Sequence, residues 1–312
     1  MIASSTCTTI VFEVWLKVAR SRNEADMKTD LWRTGTRTIN GFRPFYREWK
    51  PRDSAYLPVL ALHGSLAQAG MWIVPAEAAG SIHMLCPDQR GYGLSEDPGG
   101  DSCVEFASDA LAIAQNLLPE RYVVMGHSFA CSITLEAARM AAGRIAAVVL
   151  VDPVVRVGTP SAAPAAPSTP LPETFATLEE AERHFRDTEE GEWTDDALRR
   201  FVQGIMVRDG ESGPWRSAYT PARLRRLRDF TACPASDYNL FGQAKAVRCP
   251  VLVFRGGKSR RFTAAAEQPF LEAFVSKPDI VLCPKSGHFP TATEPDIVIT
   301  ELKRFLDGIR KN

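Results

Sequence analysis

The feature that most constrains this chain is an alternation of short, continuous apolar runs with segments of helical periodicity. Pro58–His63 (PVLALH), Ile82–Asp88 (IHMLCPD), Tyr122–Met125 and Ala146–Val151 are runs of this kind, four to seven residues long and nearly free of charge. Between them, Val104–Leu118 and Phe129–Ala142 carry apolar residues at helical spacing, and Gly143 closes the second. Strands without polar alternation are buried on both faces, the condition of a parallel sheet covered by helices. The rhythm resumes at Pro250–Phe254, passes through a helix over Ala264–Phe274 and a strand over Ile280–Pro284, and ends in a helix over Pro295–Ile309. Ahead of it, Thr36–Trp49 reads as two short strands about Asn40-Gly41, a hairpin dipeptide. The predicted class is α/β, with a mostly parallel central sheet and helices on both faces.

Between the fourth apolar run and Pro250 the rhythm breaks. Pro153–Pro172 is rich in Pro, Ala and Ser, the composition of a linker. Thr177–Arg186 and Thr194–Val207 follow as helices opened by capping residues, and Pro221–Asp229 adds a basic helical stretch. We read residues 154–245 as a helical cap over the C-terminal edge of the sheet, where ligands bind in open α/β folds. Residues 34–153 and 246–312 then form the core, and residues 1–33 an N-terminal extension. The acidic stretch Glu179–Asp196 and the arginines Arg223, Arg225, Arg226 and Arg228 are expected to be solvated helix faces.

Charge and cysteine content exclude several classes of function. Lys plus Arg and Asp plus Glu are equal at 37 each, so no overall charge favours nucleic acid or an anionic membrane surface as partner. The seven cysteines are scattered, with no CxxC pair and no His at zinc-ligand spacing. They are expected to be free thiols in a reducing compartment, with no metal site. No run approaches the ~20 apolar residues of a membrane span, and the N-terminus lacks the basic start of a leader. The expected location is the cytoplasm. No GxGxxG or P-loop spacing occurs, and no cofactor is expected.

The chemistry begins at Val123-Val124-Met125-Gly126-His127-Ser128-Phe129-Ala130, a strand meeting a helix at a small-x-Ser-x-small turn. A serine at such a bend presents its hydroxyl above the sheet, and the helix N-terminus behind it favours developing negative charge. Ser128 is the candidate nucleophile. Ala130 stands where the usual pattern has glycine.

Four segments in this order resemble the α/β-hydrolase superfamily from about residue 36 to the end of the chain. They are His63-Gly64, Asp88-Gln89-Arg90-Gly91-Tyr92-Gly93-Leu94-Ser95, the elbow Gly126-His127-Ser128, and Gly287-His288-Phe289-Pro290. The resemblance implies a serine nucleophile whose base is His288, in the loop after the last strand. A serine hydroxyl needs a base to take its proton, and imidazole titrates in the right range. The backbone N–H groups of Phe129 and Ser65 are the expected oxyanion donors. The segment Asp88–Ser95 is expected to be a supporting turn, and His63 and His127 to serve the turns they sit in.

The acid departs from the common pattern. Most relatives carry an Asp a few residues after the strand that resumes the sheet, but here Arg255-Gly256-Gly257-Lys258-Ser259-Arg260-Arg261-Phe262 contains no carboxylate. Ser259 stands at the expected spot. Some relatives, zearalenone-type lactone hydrolases among them, carry the acid after the preceding strand, which here ends in Asp152-Pro153. Asp152 is the candidate acid, with Glu267 and a site without an acid as alternatives. Asp152-Pro153 also fits a plain turn.

Trp72, Trp215, Tyr219 and Phe289 are the candidate substrate-binding walls, each more readily read as core than as pocket. A cap over an apolar cleft implies a small hydrophobic carboxylic ester or lactone, cleaved through an acyl-serine intermediate. The same Ser–His pair would also serve a carbon–carbon bond hydrolase or a lyase. The missing late carboxylate keeps a non-catalytic, ligand-binding member of the superfamily open. The natural substrate, its stereochemistry and the oligomeric state are not set by the sequence.

Overall fold

The computed structural model describes residues 31–65, 67–155, 172, 174–208, 211–217 and 239–310. Each apolar run of the core forms a strand. In chain order the first elements are β1 (Trp32–Thr36), β2 (Phe45–Trp49), β3 (Val59–Leu62), α1 (Ile73–Ala79), β4 (Met84–Pro87), α2 (Cys103–Leu117), β5 (Tyr122–His127), α3 (Ala130–Met140) and β6 (Ile145–Val151). Next come α4 (Leu178–Thr188), α5 (Asp195–Ile205), β7 (Met206–Arg208), β8 (Trp215–Ser217) and α6 (Leu240–Ala244). The chain then completes the core with β9 (Val251–Gly256), α7 (Ala264–Leu271), β10 (Asp279–Cys283), α8 (Pro290–Thr293) and α9 (Pro295–Arg310).

Eight strands make one sheet in the order β1-β2-β4-β3-β5-β6-β9-β10. The pairs β1–β2 and β2–β4 are antiparallel and the rest are parallel. β1 begins at Trp32, so the sheet reaches into the segment read as an extension. Residues 1–30 lie outside the described residues.

The strand sequences explain why both faces are covered. Leu60 and Leu62 of β3, Val124 of β5, Val148 and Leu150 of β6, and Val253 of β9 face a layer containing α2, α3 and α7. Their neighbours Val59, Ala61, Met125, Val149 and Leu252 face the layer of α1 and α9. Burying a side chain of this size stabilises by about 1.5–3 kcal/mol. α2 is opened by a capping box, in which Ser102 accepts the Glu105 N–H while the Glu105 carboxylate accepts the Ser102 N–H.

Between β6 and β9 the described residues hold α4, α5 and the two-stranded ribbon β7–β8, an antiparallel pair that the helical reading did not anticipate. Leu198, Phe201, Val202 and Ile205 form the buried stripe of α5, and Thr194 caps it by accepting the Ala197 N–H. α5 lies on the turn after β3, where the Gln68 side chain donates to Gly204 O at 3.0 Å. α6, assigned from sequence to the end of the cap, instead contributes Leu240 and Ala244 to the apolar layer containing α3. The basic stretch Pro221–Asp229 and the arginines Arg223, Arg225, Arg226 and Arg228 lie outside the described residues.

Candidate active site

β5 runs straight into a tight turn at Ser128. Ser128 has φ 58°, a left-handed conformation that costs an L-residue about 1–3 kcal/mol. Local bonds hold it there. The Ser128 N–H extends the parallel ladder to Val151 O (2.9 Å), and its carbonyl accepts the Cys131 N–H (3.0 Å) at the start of α3. Strand and helix touch closely: a Cβ on Gly126 would sit 2.3 Å from Thr134 Oγ1 and 2.5 Å from Ala130 O. The tight position is therefore Gly126, while the methyl of Ala130 is fully buried and accommodated.

Two further strand ends complete the arrangement. Asp152 follows β6, the neighbour of β5, and also has a positive φ, 44°. His288 follows β10. The His288 Nε2 accepts from the Ser128 hydroxyl at 2.8 Å, and its Nδ1–H donates to Asp152 Oδ2 at 2.6 Å. Asp152 also accepts the Gly256 N–H on Oδ1 (3.0 Å) and the Ser259 hydroxyl on Oδ2 (2.6 Å). All three relay residues are buried.

Burial pushes Asp152 up to about 6, against the Ser259 and Gly256 hydrogen bonds that favour its charge. Burial, with Arg261 nearby, holds His288 below the ordinary imidazole value. The resting imidazole is therefore neutral, with Nε2 ready to take the serine proton. Glu267, the alternative acid, is engaged elsewhere, its carboxylate accepting from Arg255 Nε at 2.7 Å.

Two further buried histidines beside the site, His63 and His127, are neutral braces. His63 Nε2 accepts the Gln89 N–H (3.0 Å) while Nδ1–H donates to Gly64 O (2.8 Å), and burial lowers its pKa to about 4. His127 reaches beyond its own turn. Its Nε2–H donates to His288 O at 2.7 Å and its ring packs 4.7 Å from that of His288, so the elbow holds the base loop directly. Burial holds His127 down at about 3. The His63–Gly64 loop lies against the elbow. A Cβ on Gly64 would meet His127 Nδ1 at 2.5 Å and Ser128 Cβ at 3.1 Å, so only glycine lets the loop lie this close to Ser128. Phe129 stands at the N-cap of α3, its ring stacked on Tyr92.

This serine–histidine–aspartate relay on a mostly parallel sheet accompanies a match to the model of the alpha/beta hydrolase family over residues 59–301, well over half of the chain. The chain belongs to the alpha/beta hydrolase family. The hydrolase is 26% identical over 285 residues to N-formylmaleamate deformylase of Pseudomonas putida, covering 88% of this chain and 96% of that protein. It is 32% identical to the non-heme chloroperoxidase of Streptomyces lividans, but over only 121 residues, 38% of this chain and 43% of that enzyme. The crystal structure of E-2-(acetamidomethylene)succinate hydrolase superposes with a TM-score of 0.71 at 20% identity, covering 88% of this chain and 99% of that one.

Around the relay, the hydrolase places its predicted wall residues unevenly. Phe289 is buried beside both histidines, 4.9 Å from the His127 ring and 5.3 Å from that of His288. Trp72 and Trp215 are buried in the apolar layer on the α1–α9 side of the sheet. Arg208 lies over the Trp215 ring. Tyr219 lies outside the described residues. Two aromatic residues absent from the sequence reading pack on Phe289 instead: Phe201 at 4.7 Å and Trp193 at 6.1 Å. Trp193 immediately precedes the N-cap Thr194, a position where an apolar residue commonly staples a helix start, and that was its one local signal.

Residues 189–191, in the middle of the acidic stretch, are not a solvated face. Gly191 pairs with Ser286 in a β-bridge, and the Glu192 N–H donates to Lys285 O at 2.8 Å. Glu190 pairs with Arg260 and Arg261, Glu189 with Arg261, and Glu192 with Lys258. These contacts clasp residues 189–192 to the two loops that carry Ser259 and His288. Among the described residues no disulfide joins the cysteines, no group of acidic, His and Cys side chains could hold a metal ion, and no helix is long and apolar enough to cross a membrane.

Proposed function

We propose that this hydrolase cleaves a small, hydrophobic carboxylic ester or lactone through an acyl-serine intermediate. The observation that carries the reading is the unbroken relay from Ser128 Oγ through His288 to Asp152, with hydrogen bonds of 2.8 and 2.6 Å. Ser128 Oγ attacks the carbonyl carbon while His288 Nε2 takes the hydroxyl proton. Asp152 fixes the imidazole tautomer and stabilises the imidazolium that forms. The oxyanion is held by the Phe129 and Ser65 N–H groups, each such donor being worth about 100- to 1000-fold in rate. Collapse breaks the bond to the alcohol oxygen, which leaves with the proton from His288. Water then gives a proton to His288 as its oxygen attacks the acyl carbon, and collapse breaks the bond to Ser128 Oγ, which takes that proton back from His288 as the acid leaves. Phe289, with Phe201 and Trp193 beside it, supplies apolar surface next to the base.

A second reading is hydrolysis of a small amide. One relative, aligned over 88% of this chain, is named N-formylmaleamate deformylase. The same residues would serve, with His288 protonating a leaving nitrogen in place of an oxygen.

The test is hydrolysis of p-nitrophenyl esters of increasing chain length and of N-formyl amides, by wild type and Ser128→Ala. Turnover of the esters that disappears in Ser128→Ala supports the ester reading. Turnover of the amides alone favours the second, and equal rates in both proteins remove Ser128 as the nucleophile.

A further inference from the structure

The relay is completed by a residue that no local motif marks. The Asp152 carboxylate accepts three hydrogen bonds: from His288 Nδ1–H, from the Gly256 N–H and from the Ser259 hydroxyl. The polarity of the Ser259 bond is fixed by counting protons. Ser259 Oγ already accepts two backbone N–H groups, Arg261 at 3.1 Å and Phe262 at 3.2 Å, and an N–H can only donate. Its single hydroxyl hydrogen is therefore directed at Asp152 Oδ2, the oxygen that also receives the imidazole proton. Ser259 is buried, as is Asp152, so water does not compete freely for either.

We propose that Ser259 is a positioning residue, whose hydroxyl keeps the Asp152 carboxylate charged and aligned on His288. The proposal rests on the serine-hydrolase reading for its catalytic meaning, but not for its detection. The groups that face Asp152 come from four places: His127 at the end of β5, Cys131 on α3, Cys283 at the end of β10, and Arg261 beyond β9. Burial keeps His127 and both thiols uncharged near neutral pH, so Arg261 is the one charged group among these four. Removing the hydroxyl takes away a hydrogen bond to an anion, and the acid's titration moves upward.

The experiment follows two signals against pH: phosphonylation of Ser128 by a fluorophosphonate probe, and the low-field NMR resonance of the His288 Nδ1 proton. In Ser259→Ala the acid limb of the labelling rate moves up by about one to two pH units, since a hydrogen bond to a charged group is worth roughly that much. Labelling near neutral pH slows by about two- to tenfold and recovers in alkaline solution. The low-field resonance titrates with the same upward shift. Ser259→Thr, which keeps the hydroxyl, returns both to wild type. A folded Ser259→Ala whose limb stays in place, or which is slowed equally at every pH, overturns the proposal. Should the alanine variant not fold, Ser259→Cys, with its weaker donor, must show the same shift at smaller size. Ser128→Ala is the control for the reading beneath: if wild type is not labelled at that residue, the hydrolase mechanism fails, and the NMR titration still decides for or against Ser259.

Discussion

The ends of β6 and β9 lie side by side and divide one task between them. β6 ends in a carboxylate, Asp152, held at a positive φ and turned onto His288. β9 ends in Arg255-Gly256-Gly257-Lys258-Ser259, which delivers no carboxylate but two hydrogen-bond donors, the Gly256 N–H and the Ser259 hydroxyl. One strand end supplies the charge and the other supplies the dipoles that stabilise it. The difference teaches why an acid can stand on either strand but not on both. Two carboxylates this close would raise one another's pKa, and one would take a proton. A serine opposite the single carboxylate instead lowers the cost of burying it.

The largest effect that would break this comparison is at Asp152. We expect Asp152→Asn to reduce turnover by about 10⁴-fold, as loss of the tautomer-fixing acid does in other Ser–His relays. Circular dichroism should show a folded protein, because the amide fills the same volume and can still accept from Gly256. Turnover within a few-fold of wild type would mean that the charge at the end of β6 is not the acid, and the division between the strands would fall.

The next effect sharpens the comparison by reversing it. Ser259 Oγ lies 2.6 Å from the Asp152 oxygen that binds the imidazole, so a carboxylate at position 259 can reach the same proton. Asp152→Ser combined with Ser259→Asp should recover turnover by at least about tenfold over Asp152→Ser alone, the worth of a hydrogen bond to a charged group. Ser259→Asp alone should lower turnover in the wild-type background, since it sets a second carboxylate against Asp152. If the substitution at 259 has the same sign in both backgrounds, the two strand ends are not exchangeable.

These tests also separate what the sequence could reveal from what it could not. The turn that presents Ser128 is legible because its signals are local: an apolar strand, a small-x-Ser-x-small turn and a helix are contiguous between Val123 and Met140. The continuous apolar strands likewise specify burial on both faces, and the sheet follows. The carboxylate that meets His288 is legible only as a choice between Asp152, Glu267 and none, because the requirement is spatial and any strand end near His288 can meet it. Ser259 is marked in the sequence only as the residue standing where relatives carry the acid, and nothing local shows that it bonds to one. A serine in a turn is ordinary, and only the register of β9 against β6 and β10 brings its hydroxyl to the carboxylate. The reach of His127 to the His288 carbonyl is non-local in the same way. Around the relay, composition misled where pairing decides: residues 189–192 look like a solvated acidic segment until Lys258, Arg260 and Arg261 are folded against them. Trp72 and Trp215 are candidate walls by their place after the His63-Gly64 turn and in the cap, but large aromatic residues fill cores as readily as they line pockets, and both lie in the apolar layer.

The smallest expected effect is the control on the β9 side. Glu267 is the other carboxylate near this strand end, and it follows the turn that Ser259 closes. It is a third exposed and accepts from Arg255 Nε at 2.7 Å, the two groups bracing β9 against α7. An ion pair with one partner this accessible contributes about 0–1 kcal/mol. Glu267→Gln should therefore leave turnover within about twofold of wild type and the acid limb of the pH profile where it was, with at most a small drop in thermal midpoint. A loss of turnover comparable to that of Asp152→Asn would put the working charge on the β9 side after all. The relay geometry argues the other way, because a carboxylate already tied to a guanidinium can fix the imidazole of His288 only by giving that partner up, and Asp152 has no such tie to break.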